Sequence, residues 1–141
     1  MPISRDEFDP IAVAVAVDWL DAGKLGDLDG LLDLYDERAT LECDCEGVTL
    51  TGREALSAYW APKLDSLLEG AFALDDMILT DDGLQLDYQN YEGKPVRVLL
   101  CFTPSGKIAH TNCSPLGRRH AASCLASAAR SEVSSGTTRR I

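Results

Sequence analysis

Apolar positions recur along the chain with two periods, and the change of period divides it. Residues 11–20 read IAVAVAVDWL and lead to Gly23. Asp9-Pro10 ahead of them supplies a capping side chain followed by a proline suited to the first helical position. A helix ending at Gly23 follows, although the V-A-V-A alternation would also suit a strand. Asp27 caps a second helix, with Leu28, Leu31, Leu32 and Tyr35 at i, i+3, i+4, i+7 on one stripe. From Ala39 to Cys45 the period falls to two: Leu41, Cys43 and Cys45 share one face, and Thr40, Glu42 and Asp44 the other, which predicts a strand. Thr51-Gly-Arg-Glu54 matches a capping box and opens a third helix, with Leu56, Trp60, Leu64 and Leu67 inward and a bend at Pro62.

From Ala71 to Cys113 the pattern is strand-like, broken at Asp81-Asp82-Gly83, Glu92-Gly93 and Thr103 to Gly106, and predicts a four-stranded meander. A two-residue turn at Glu92-Gly93 places Asp87 opposite Val98 and Tyr88 opposite Arg97. Helices first and a meander last give an α+β domain, with the helices over one face of a curved antiparallel sheet. That domain covers residues 1–115. Residues 116–141 form a basic tail rich in Ala, Ser and Arg, either a short helix or disordered.

Charge sharpens the picture. The net charge is −10, but the tail carries five arginines against Glu132, a balance of +4 that leaves −14 on residues 1–115. A body that acidic repels a phosphate backbone, so nucleic acid is not an expected partner. No apolar run reaches the roughly 20 residues of a membrane span, and the acidic segment before residue 11 has the wrong sign for a signal peptide. A cytoplasmic protein is expected. Its five cysteines are then mostly buried reduced thiols.

The run GDLDGLLDLYDERATLECDCEG, then TGREALSAYW, then the meander ending in GKIAHTNC resembles the nuclear transport factor 2-like superfamily, in particular its SnoaL-like and ketosteroid isomerase branch. The resemblance covers residues 8–115. It implies a cone, in which three helices close over a strongly bent sheet around a mostly apolar pocket, often in a homodimer built on the sheet's outer face. It does not imply one chemistry. Aligned on these motifs, Cys43 stands where the isomerases carry their base aspartate, Trp19 at the oxyanion tyrosine, Trp60 at a supporting tyrosine and Val98 at the protonated aspartate. The usual isomerase chemistry is therefore not expected.

Three readings remain. In the first, a small, largely apolar molecule binds in a pocket framed by Trp19, Cys43, Cys45, Trp60 and Val98, with the indole N–H groups offered to a carbonyl or hydroxyl. In the second, the same pocket is catalytic, with Asp87 or Cys43 as base or nucleophile. Asp87 would look into the cavity if the hairpin register holds, whereas a slip of one residue would send it to solvent and turn Tyr88 and Arg97 inward. Cys43 is active only if its thiol pKa is lowered, and Glu42, Asp44 and Glu46 push it the other way. The third reading is an assembly module dimerising through Leu86, Leu99 and Cys101 on the outer face. Neither metal nor cofactor is expected, because C-x-C lacks the second ligand pair of a zinc site. His110 lies opposite the Ala109, Thr111, Cys113 face and is not expected to be catalytic.

Overall fold

The computed structural model describes residues 5–80 and 83–116, with side chains from residue 10 onward. Three helices precede most of a six-stranded sheet: α1 (Arg5–Leu25), α2 (Leu28–Leu32), β1 (Tyr35–Cys43), β2 (Val48–Thr51), α3 (Arg53–Leu64), β3 (Leu74–Leu79), β4 (Gly83–Gln89), β5 (Pro95–Phe102) and β6 (Ile108–Pro115). The sheet order is β2-β1-β6-β5-β4-β3. All joints are antiparallel except β1 with β6, which run parallel. Irregularities in the β1–β6, β3–β4 and β5–β6 pairings bend the sheet into an open, curved wall. Among the described residues no helix is long and apolar enough to cross a membrane. The tail lies outside the described residues from 117 onward.

The helices bury the faces that periodicity indicated, with shifted ends. In α1, Ala12, Ala16, Trp19 and Leu20 are buried on one side. The helix starts upstream of Asp9, so Pro10 lies inside it and Asp9 is not its cap. It stops where Gly26 turns left-handed (φ 68) and Asp27 N–H reaches back to the Ala22 carbonyl at 2.9 Å. Asp27 caps α2 by accepting the Gly30 N–H at 3.0 Å. Tyr35, fourth member of the predicted stripe, instead begins β1 with its side chain still buried. Thr51 ends β2 and Gly52 takes the cap position of α3, so the capping box does not form. Strand β2 itself, four residues long, left no pattern long enough to read.

The hairpin between β4 and β5 decides which side chains face inward. Asn90 N–H donates to the Lys94 carbonyl at 2.7 Å and Gly93 N–H to the Asn90 carbonyl at 2.8 Å, with Gly93 at φ 78. This is a three-residue loop, a tight turn followed by a left-handed glycine, steadied by the Asn90 side chain accepting from Glu92 and Lys94 N–H groups. It moves the register by one from the predicted pairing: Asp87 faces Arg97 and Tyr88 faces Val96. Tyr88 therefore enters the core beside Leu84 and Leu86, while Asp87 and Arg97 occupy the opposite face.

Candidate functional site

Aromatic rings fill the interior between helices and sheet. Trp19 packs edge-on against Trp60 (6.0 Å between centroids), Phe72 (5.5 Å) and Tyr88 (5.2 Å). Phe72 is fully buried, with a left-handed backbone (φ 63) that L-residues adopt at a cost. Its ring lies against the α1 backbone where a Cβ on Gly23 would stand 2.4 Å away. The Trp19 indole N–H donates to the Tyr35 hydroxyl at 3.1 Å. The Trp60 N–H approaches the same oxygen without completing a hydrogen bond. Burial raises the Tyr35 phenol to about 12, so it stays a neutral partner. The donors expected to greet a guest thus face the chain's own tyrosine, and Trp19 and Val98 belong to the core, not to an open cavity.

One of the clefts among the described residues lies at the mouth of the cone, lined by Cys43, Cys45, Tyr59, Trp60, Tyr91 and Cys113 among others. Its enclosed space is about 30 Å³, room for two or so water molecules. Three thiols meet there. Cys43 ends β1 and its register partner on the parallel strand β6 is Cys113. Cys45 lies in the turn that follows, where Gly47 N–H bonds the Cys43 carbonyl (2.7 Å) and Asp44 N–H bonds the Cys113 carbonyl (2.8 Å). Cys45 is therefore exposed and outside the strand, contrary to the alternation, yet the three Sγ atoms lie within 4.8 Å of one another. All three are free thiols, whereas Cys101 is disulfide-bonded, so the expectation of reduced cysteines holds only in part.

The cluster divides its protons unequally. Cys43 falls from 9.0 to about 6, chiefly because the Cys113 S–H donates to its sulfur, with further donation from Tyr59 O–H and Glu46 N–H outweighing the opposing burial. The Cys113 thiol is held well above the ordinary range by that same hydrogen bond and by burial. Cys45 is raised by burial and by the Cys43 charge. The neighbouring acids do not dominate: Glu46 is taken up by Lys63 Nζ at 3.2 Å, with the Tyr59 hydroxyl oxygen 3.5 Å away. Lys63 also stands 3.8 Å above the Tyr59 ring, fixing that phenol at the rim. Three sulfurs are one donor short of the closed set of a structural zinc site, and the nearby carboxylate is already engaged.

The structure thus brings Cys43, Cys45 and Trp60 to one cleft and adds Cys113, Tyr59 and Lys63, which sequence reasoning missed. Asp87 is elsewhere. It forms a two-pronged ion pair with Arg97 at 2.7 and 3.0 Å on the outer face, so neither Asp87 nor Arg97 points into the cone. The physical cause is the glycine-containing loop that shifted the register. His110 faces outward as expected, with Nδ1 against Thr40 Oγ1 and Nε2 3.2 Å from Glu42. On the outer face Leu99 and Cys101 are already buried within the single chain, and Leu86 points inward instead.

No family model and no curated protein matches the sequence. Solved structures do match. A SnoaL-like protein of unknown function from Burkholderia thailandensis superimposes with a TM-score of 0.70 at 20% identity, covering 82% of this chain and all of that one. An NTF2-like protein of unknown function from Burkholderia xenovorans gives 0.62 at 18% identity, over 95% and 98% of the two chains. A putative polyketide cyclase from Sinorhizobium meliloti gives 0.59 at 16% identity, over 72% and 94%. At such identities the likeness establishes the fold alone: the chain has the curved-sheet cone fold seen in these SnoaL-like and NTF2-like proteins.

Proposed function

We propose that the protein acts on a small molecule at the cone mouth, with Cys43 as the nucleophile. The observation that supports this reading is the meeting of Cys43, Cys45 and Cys113, with sulfurs within 4.8 Å of one another, in the cleft where a sequence-predicted catalytic residue lies among the described residues; Cys113 beside it also lowers the Cys43 thiol. A thiolate held by donors attacks electrophiles at neutral pH, where an ordinary thiol is mostly protonated. The rings of Tyr59, Trp60 and Tyr91 give an apolar part of the guest a surface to rest on. Among the described residues the interior is filled by packed rings, so the reacting end of the guest enters the cleft and the remainder stays at the mouth. The similar fold of a protein described as a putative polyketide cyclase supports a catalytic reading without naming the reaction of this chain.

The second reading is passive binding of a small apolar molecule on the same rings, with the thiols as wall. Limited alkylation by iodoacetamide at pH 7, followed by peptide mapping, separates the two. The nucleophile reading predicts that Cys43 is modified before the more exposed Cys45. Modification of Cys45 first, with Cys43 inert, would leave only the binding reading.

A further inference from the structure

Two features of the cleft narrow its chemistry: it accepts very little, and the reactive sulfur has a second thiol directly beside it. The space beside the Cys43 sulfur is narrow, about 30 Å³ or room for two or so water-sized groups, and it opens to solvent. Among the described residues, the polar groups at the mouth include no carboxylate or imidazole left unengaged. Glu46 is held by Lys63, and His110 lies on the other face of the sheet. Isomerisation and hydrolysis need a positioned proton acceptor. Oxygen transfer from a peroxide to a thiolate does not, because the electron pair comes from sulfur and the leaving oxygen takes its proton from solvent.

We infer that the cleft reduces hydroperoxides, with Cys43 as the attacking thiol and Cys113, its neighbour across the β1–β6 joint, as the thiol that closes a disulfide with it; this rests on the nucleophile reading above. In the first step the Cys43 thiolate attacks the terminal peroxide oxygen. An S–O bond forms, the O–O bond breaks, and the alkoxide or hydroxide leaves as alcohol or water after protonation, so that sulfur is oxidised by two electrons to sulfenic acid. In the second step the Cys113 sulfur attacks Cys43, an S–S bond forms, the S–O bond breaks, and the hydroxyl leaves as water with the Cys113 proton. Two thiols and one hydroperoxide thus give one disulfide, one alcohol and one water. A small dithiol resets the pair by exchange, entering from the side of exposed Cys45.

The test uses the full chain, pre-reduced, with hydrogen peroxide as probe. Expected are peroxide consumption at pH 7 about threefold or more faster than by free cysteine, a mapped Cys43–Cys113 disulfide, and arrest at a diketone-trappable sulfenic acid on Cys43 in Cys113→Ser. A Cys45→Ser variant should still form the disulfide. Rapid selective alkylation of Cys43 together with peroxide consumption no faster than free cysteine would overturn this inference and leave the nucleophile reading standing. Slow reaction of Cys43 with both reagents would overturn both. A disulfide that persists in Cys113→Ser but vanishes in Cys45→Ser would overturn the role given to Cys113.

Discussion

Removing the Phe72 ring should destabilise the protein severely, but by an amount that depends on the replacement in a way few buried positions show. The ring is fully buried among Trp19, Trp60 and Tyr88, and Phe→Ala at such sites costs about 3–5 kcal/mol. Phe72 also sits at φ 63, where the Cβ of an L-residue costs about 1–2 kcal/mol. Glycine escapes that cost and gives back only about 0.5–1 kcal/mol through the freedom of its unfolded chain. Phe72→Gly should therefore be more stable than Phe72→Ala by a few tenths to about 1 kcal/mol, the reverse of the order at an ordinary buried position. Gly23 supplies an internal control: its Cβ would lie 2.4 Å from the Phe72 ring, so Gly23→Ala should be disruptive alone and far milder combined with Phe72→Ala. Urea unfolding of the four variants measures all of this. A Phe72→Ala cost below about 1 kcal/mol would show that the ring does not plug the interior. Glycine less stable than alanine would show that the backbone there is not left-handed.

Other perturbations address the mouth and the outer face. Tyr59→Phe removes a donor to the Cys43 thiolate and should raise its pKa by about 1 unit or more, since hydrogen bonds to charged groups are worth about 1.5–3 kcal/mol; the alkylation profile against pH reports it. Stability should itself follow pH. Cys43 is lowered on folding, so its contribution is complete above the unfolded thiol pKa and lost as pH falls through about 6. Cys113 is raised, so its contribution is complete below the unfolded thiol pKa and lost at more alkaline pH. Urea midpoints should thus climb from pH 6 toward 8.5 and fall beyond about 9, and a flat profile would count against the unequal sharing of protons. Asp87→Asn should cost no more than about 1 kcal/mol and leave Cys43 reactivity unchanged, because its Arg97 pair is partly solvated and outside the cone. Loss of reactivity in that variant would return Asp87 to the site.

Much of the scaffold could be read from local patterns, because caps, stripes and alternation act over a few residues. Asp27 signalled its helix, Leu56, Trp60 and Leu64 their inward face, and the turn residues the meander. The site depended on geometry that such patterns do not carry. Asn90 to Gly93 can close a hairpin with two or three loop residues, and that choice alone turned Tyr88 into the core and Asp87 out of it. The same choice contributed a ring to the filling of a cone expected to be hollow. Cys113 joins Cys43 from 70 residues away because β1 and β6 are parallel neighbours, and no local spacing announces a parallel joint. Cys45 departs from the alternation because Gly47 (φ 69) closes a tight turn just after Cys43.

The measurement that bears most directly on the thiol cluster is the pH at which Cys43 loses half its alkylation rate. Absolute speed decides little. At pH 7 a thiol near 6 is about nine-tenths ionised against a few per cent ordinarily, but its lower basicity costs roughly tenfold in intrinsic nucleophilicity, leaving a net gain of roughly threefold. The midpoint separates the cases cleanly. Peptide-resolved alkylation from pH 4 to 10 should place Cys43 near 6, with Cys45 and Cys113 shifted up from an ordinary thiol by burial and by the Cys43 charge. A Cys43 midpoint at or above about 8.5, indistinguishable from a free cysteine, would contradict the account.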